Sequence, residues 1–298
     1  GWSLLHYAVM SDDAGAVAEL LSRGGQAADV NLAIRRGDPA LTILDGMTPL
    51  ISAMTFASPG ISEDLLRAKA DPLMLSKGVP GDVGGLNMGA TLGRLESVGT
   101  WLSTLGGSDV EGMERVSGQT ALQSAAAIRS ESAPMLRMLL QAGANALHVD
   151  YVGATVLHSL ACKDDADIDG ARLLLAHGAD VNNRQKPRTK HWRFLMKASR
   201  LAARMGSRRQ IVQEAARWEG TTALANAAVH GNVLMVKELL KARADPRLRN
   251  RQGRTALECA RVAFGGEAPR VIEAVLSAAA QSWAEEGAAA SQEEEEFT

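Results

Sequence analysis

The stretch Gly220-Thr221-Thr222-Ala223-Leu224-Ala225-Asn226-Ala227-Ala228-Val229-His230-Gly231-Asn232-Val233-Leu234-Met235-Val236-Lys237-Glu238-Leu239-Leu240-Lys241-Ala242-Arg243-Ala244-Asp245 decides how this chain is read. It encodes two short helices and a stop. Thr222 is placed to accept from the free backbone N–H groups that open the first helix. Leu224 points to a core, and the Ala227-Ala228 pair lets the two helices approach closely. Gly231 ends the first helix in a left-handed conformation that other residue types accept poorly. The Leu239-Leu240 pair carries the second helix, and Ala244-Asp245-Pro246 stops it. A unit this small cannot bury its apolar face alone, so copies of it should be sought before anything else.

Copies are present. The Gly-x-Thr/Ser-x-Leu phrase opens at Gly1-Trp2-Ser3-Leu4-Leu5-His6, Gly46-Met47-Thr48-Pro49-Leu50 and Gly118-Gln119-Thr120-Ala121-Leu122. It returns at Gly153-Ala154-Thr155-Val156-Leu157-His158, Gly220 to Leu224 and Gly253-Arg254-Thr255-Ala256-Leu257. Pro49 falls in the first helical turn, where proline is tolerated. About 17 residues after each Thr position come Leu20-Leu21, Leu65-Leu66, Leu139-Leu140, Leu173-Leu174, Leu239-Leu240 and finally Val275-Leu276. Stops follow at Gly143-Ala144-Asn145, Gly178-Ala179-Asp180 and Arg243-Ala244-Asp245. Two degenerate copies fill the gaps. One has Gly84 in the Thr position, with Leu86, Gly89-Ala90, Gly93 and Trp101-Leu102 in register. The other is placed by Thr189, Ala202-Ala203, Gly206 and Ile211-Val212, and lacks the Leu-Leu pair.

This pattern strongly resembles the ankyrin repeat, with its 33-residue period and Thr-Pro-Leu-His-x-Ala phrase. The resemblance implies an all-α solenoid of six clear and two degenerate helix-turn-helix copies, joined by short hairpin fingers. It covers residues 1–283, with a basic insertion in a degenerate copy near 184–217. An acidic low-complexity segment, 284–298, follows and reads as a disordered, solubilising tail. The family implies a non-catalytic interaction module that binds through finger tips and inner helices.

Composition bounds the alternatives. Aromatics are only 4% of 298 residues, which favours thin helical layers built from Ala, Leu, Val, Ile and Met. Cys162 and Cys259 lie 97 positions apart, so no disulfide framework exists, and a reducing, intracellular, by default cytoplasmic location is expected. The chain opens on Gly1, which reads as a fragment or a processed chain, and no signal pattern follows. No apolar run approaches the ~18 residues of a membrane span.

Several motifs invite chemistry and are better read as structure. His6 and His158 occupy the family's structural His position, at the base of a finger. Asp165-Ala166-Asp167-Ile168-Asp169-Gly170 copies half of a calcium loop, but its twelfth position is Ala176. The segment reads as a two-residue insertion with Asp169 capping the next helix. Lys77-Gly78-Val79-Pro80-Gly81 lacks the ending of a phosphate loop and reads as a long finger. No nucleophile–base arrangement, metal-ligand spacing or paired carboxylate stands out, so no enzyme, metal or cofactor is expected.

The charge is more informative. The formal net charge is −2, yet residues 184–261 hold 19 Lys and Arg against 5 acids. Residues 1–183 hold 12 against 21, and 262–298 hold 1 against 8. The basic block contains two runs. The first is Arg184 to Arg200, with Trp192 and Phe194 interleaved; the second is Lys241 to Arg254, on a finger where alternation would align Arg247, Arg249 and Arg251. Lys186, Arg188, Lys190, Trp192, Arg193, Arg247, Arg249 and Arg251 are therefore the candidate contacts to an anionic partner. That partner is most simply an acidic protein surface. RNA or DNA, or service as a regulatory arm of a larger enzyme or channel, are the alternatives.

Overall fold

The computed structural model of the chain describes residues 2–25, 28–38, 43–77, 82–107, 110–127, 132–163, 167–205 and 218–296. The chain divides into two compact units, Gly1–Asp150 and Tyr151–Thr298.

In the first unit each copy builds a pair of short helices. The pairs are α1 (Leu4–Met10) with α2 (Ala14–Arg23), and α3 (Pro49–Phe56) with α4 (Pro59–Arg67). They continue as α5 (Gly85–Thr91) with α6 (Leu95–Leu105), and α7 (Ala121–Ala126) with α8 (Ala133–Gln141). The hydroxyl of Ser3 accepts from the His6 N–H, and that of Thr48 from the Ile51 N–H. Such a cap is worth about 1 kcal/mol. First helices stack on first helices, α1 on α3 on α5 on α7, and second helices likewise, α2 on α4 on α6 on α8. The degenerate copy with Gly84 at the cap position is therefore a full member of this stack. Its missing side-chain cap is matched by tight packing, since a Cβ on Gly85 would lie 2.9 Å from the Trp101 ring.

Leu5, Leu50 and Leu122 are buried to within 1% between the layers. Full burial of such a side chain stabilises by about 1.5–3 kcal/mol. The 45-residue first step has its own plug, in which Ile34, Ile43, Met47 and Ile51 form a core cluster flanked by Trp2 and Phe56. Ladder pairing in the fingers is sparse. A two-residue hairpin joins β1 (Leu75–Ser76) to β2 (Val83–Gly84), and bridges link Asp38 to Ile43, Asp45 to Lys77 and Met113 to Thr120.

The second unit contains α9 (Val156–Ala161), α10 (Ile168–Ala176), α11 (Lys190–Arg204), α12 (Ala223–Val229), α13 (Val233–Lys241), α14 (Ala256–Ala263) and α15 (Arg270–Glu296). Here α9 packs directly on α12 and α12 on α14, while α10 packs on α13 and α13 on α15. The register Thr189 does cap a helix, accepting from the Trp192 N–H at 3.3 Å. That helix, α11, lies outside both layers. The two degenerate copies thus differ: the one at Gly84 is a layer of the stack, whereas the helix that opens at Thr189 is an excursion from it, and Gly206 and Ile211-Val212 lie outside the described residues. The stack closes beneath this excursion, because the Gln185 N–H donates to Thr221 O at 2.8 Å and the Gly220 N–H to Gln185 O at 2.6 Å.

Three expectations are corrected. Asp167, not Asp169, caps α10, its carboxylate accepting from the Gly170 N–H at 2.8 Å; the chain must turn two residues earlier to seat buried Gly170. Asp165 and Ala166 lie outside the described residues. Leu257 is only half-buried, because its copy ends the stack and no further first helix covers it. The acidic segment expected as a disordered tail continues α15 to Glu296, as its run of strong helix formers, Ala, Gln and Glu, favours.

Candidate partner-binding surface

The two basic runs converge in the second unit. The excursion leaves the stack at Lys186, whose backbone presses on Gly153. Gly153 has φ +88, and a Cβ there would lie 2.2 Å from the Lys186 N and O atoms, so only glycine fits. The Arg188 N–H then donates to Tyr151 O at 2.9 Å. Arg193 turns back and donates from Nε to Pro187 O and from Nη2 to Arg188 O, both at 3.2 Å, fixing the turn that opens α11. One face of α11 seats on the body: Met196 is 2% exposed, and Trp192, Ser199 and Arg200 are half-buried. Trp192 also meets the His191 ring edge-on, centroids 6.2 Å apart. The Arg200 guanidinium lies 2.7 Å from a Glu219 oxygen, and Arg251 lies 2.8 Å from the other. Glu219 therefore ties α11 to the second basic run.

Arg243, Arg247, Arg249 and Arg251 on the finger are each compensated from within the chain. Arg247 pairs with Asp245 at 3.1 Å and lies over the Trp283 ring of α15 at 5.1 Å. Arg249 pairs with Glu258 at 3.0 Å, and Arg243 with Glu286 at 2.9 Å. The Thr255 backbone N–H, with Arg249 beside it, holds the Glu258 carboxyl below the usual carboxylate range. Arg247 and Arg249 reach forward to α15 and α14, and Arg251 reaches back to Glu219. Lys186, Lys190, Arg193 and Lys197 differ: among the described residues none has a carboxylate within ion-pair distance, and all are exposed. Beside them Phe194 is 69% exposed, Leu201 60% and Met205 79%. Sequence reading missed Leu201, Met205 and Lys197 as candidates. Their signal was the helical spacing from Phe194, which becomes visible only once α11 is known not to be a buried repeat helix.

His6 and His158 are structural. The Ser3 N–H donates to His6 Nδ1 at 3.3 Å, leaving Nε2–H to donate to Met47 O at 3.3 Å. His158 repeats this with the Thr155 N–H and Thr221 O, at 3.2 and 3.3 Å. Burial pushes the His158 ring down to about 4, and lowers His6 as well. Cys162 and Cys259 line one cleft of about 50 Å³ with Asn226 and His230. The Asn226 and Asn250 side-chain amides approach their sulfurs at 3.3 and 3.4 Å. No group of three metal-ligating side chains occurs among the described residues.

Comparison with known proteins meets this architecture. A family model described as ankyrin repeats (3 copies) matches residues 86–185, and one described as ankyrin repeat matches 1–35 and 219–251, together more than half of the chain. The chain belongs to the ankyrin-repeat family. The matches break off at 185 and resume at 219, the two ends of the excursion, so the ankyrin pattern and the backbone hydrogen bonds mark the same boundary. Among solved structures, the ankyrin repeat domain of Bcl-3, a member of the IkappaB family, is similar over 93% of this chain and 99% of its own, with TM-score 0.64 and 22% identity. The human ASB11 ankyrin repeat domain is similar over 93% and 98%, with TM-score 0.64 and 20% identity. At these identities the likeness is one of fold. No curated protein matches the sequence. No described helix is long and apolar enough to cross a membrane.

Proposed function

We propose that this ankyrin-repeat protein is a non-catalytic scaffold that holds an anionic protein partner against the basic excursion of its second unit. Ankyrin repeats generally mediate protein–protein interaction, and a preformed stack loses little conformational entropy on docking. The observation that carries the reading is the contrast in charge compensation. Arg243, Arg247, Arg249 and Arg251 each have an internal carboxylate, whereas Lys186, Lys190, Arg193 and Lys197 present charge without one. An incoming anion gains more from the second group, since it displaces no existing pair. The finger arginines then act as the rim of the site and set long-range attraction.

The test is fluorescence anisotropy of a labelled poly-glutamate peptide with the full chain, read at several salt concentrations. Lys186→Glu, Lys190→Glu and Lys197→Glu combined should weaken binding by about tenfold or more, a loss of at least about 1.4 kcal/mol. Arg247→Glu, Arg249→Glu and Arg251→Glu combined should weaken it less. An RNA duplex run in parallel that binds more tightly than the peptide, with a steep salt slope, would overturn the protein-partner reading.

A further inference from the structure

The outward face of α11 carries a row as well as a charge. Phe194, Ala198, Leu201 and Met205 follow one another at intervals of four, three and four residues, so they stand in line along one helix face. Met205 keeps the helical course, its N–H donating to Leu201 O at 2.9 Å. All four are exposed. This four-three-four spacing is the narrow apolar seam by which two helices pack knobs into holes. Lys190 and Lys197 stand seven residues apart along one edge of the seam. The other edge holds Leu195 and Ala202, and the far side of the helix, through Met196, is spent on the body of the unit. An exposed seam of large side chains is costly unless something covers it.

Resting on the reading above, we infer that α11 is one half of a two-helix contact whose other half is an acidic amphipathic helix of the partner, with its own apolar heptad seam and Glu or Asp at the positions facing Lys190 and Lys197. Charge complementarity fixes the sign of the occupant. The seven-residue period of the cations, parallel to the seam, fixes its secondary structure, because only another helix repeats in step with it. A bilayer surface would need no such period; it would favour cations on both edges of a wider apolar sector.

The probe is a synthetic three-heptad peptide with Leu at both seam positions and Glu at the flanking ones, whose like charges keep it from pairing with itself. Its binding to the full chain is measured by anisotropy against a scrambled peptide of identical composition. The heptad peptide should bind at least about tenfold more tightly than the scrambled one. Phe194→Glu and Leu201→Glu should each remove most of that advantage. Both side chains are exposed, so circular dichroism should show the fold retained. Lys190→Glu with Lys197→Glu should reverse the preference, so that a peptide with Lys in place of Glu now binds better. Equal affinity for heptad and scrambled peptides overturns the helix contact while leaving an anionic partner standing. Failure of both peptides and of poly-glutamate to bind overturns both proposals. Phosphatidylserine vesicles bound in a Leu201-dependent way, with the heptad peptide unbound, would assign the face to a membrane instead. A dimer in sedimentation that Leu201→Glu dissolves would assign it to a second copy of this chain.

Discussion

At His158 only one protonation state fits the site. Nδ1 must accept from the Thr155 N–H while Nε2–H donates to Thr221 O, so a second proton would face a donor in a dry site. The folded-state value of about 4 lies below the ordinary 6.5. The unfolded chain therefore binds a proton that the folded chain refuses. The stability held by this ring is complete above pH 6.5 and is lost as pH falls from 6.5 towards 4, on the order of 3 kcal/mol in total. His6, shifted in the same direction, adds to the trend. The chain supplies its own control residue: in the copy at Thr120 the same position is Gln123, whose side-chain oxygen accepts from the Thr120 N–H at 3.4 Å. His158→Gln should cost about 1 kcal/mol at pH 7.5 through the lost bond to Thr221. Urea denaturation at pH 7.5, 6 and 5 should show the variant losing less stability on acidification than the wild type. Parallel pH profiles for the two proteins would refute this assignment. The role of His158 was legible from its place in the Thr-x-x-His phrase, but its acceptor was not, since Thr221 lies 63 residues away.

Among the elements, α15 and α11 show opposite outcomes for charged helices. The acidic segment 284–298, expected as a disordered tail, belongs to the end of α15, which runs to Glu296. The middle of α15 meets the finger, with Trp283 under Arg247 and Glu286 on Arg243. These contacts are exposed, and solvent and salt screening leave each of them weak. Removing residues 284–298 should leave the thermal midpoint nearly unchanged and tighten poly-glutamate binding at low salt, because the removed acids no longer compete for the finger. Unchanged affinity at low salt would show that the segment exerts no competition. Trp283→Ala should loosen the finger without removing any charge, and so separates stacking from electrostatics. In α11 the sequence announced the helix start at Thr189 and its basic character. It did not announce which face would be left bare, because the same periodicity serves a helix buried in a stack and one lying beside it. Met196 buried and Leu201 exposed is a distinction made by the neighbours, not by the residues.

For the molecule as a whole, the excursion between 185 and 219 is a separable feature of the second unit. Its ends already meet, through the bonds of Gln185 with Gly220 and Thr221. Replacing residues 186–219 by a three-residue turn patterned on Arg251-Gln252-Gly253 should therefore keep cooperative unfolding. The thermal midpoint should stay within about 4 °C of the parent's, the scale of a 1 kcal/mol change in a unit of this size, and a shorter closed loop favours the folded state slightly. The same variant should lose binding to poly-glutamate and to the acidic heptad peptide. A collapse of cooperativity would mean that α11 supports the stack after all. The sequence by itself determined the helix pairs, their caps and stops, the structural histidines and the positive sign of the 184–261 block. Those properties are written in contacts three, four and about thirty-three residues apart, which a linear reading can see. Only the tertiary structure decided that the copy at Gly84 is a layer and the one at Thr189 is not, and that the finger arginines are compensated while α11's lysines are not. Those outcomes rest on pairings such as Gln185 with Thr221 and Arg251 with Glu219, between residues brought together by stacking and not by period.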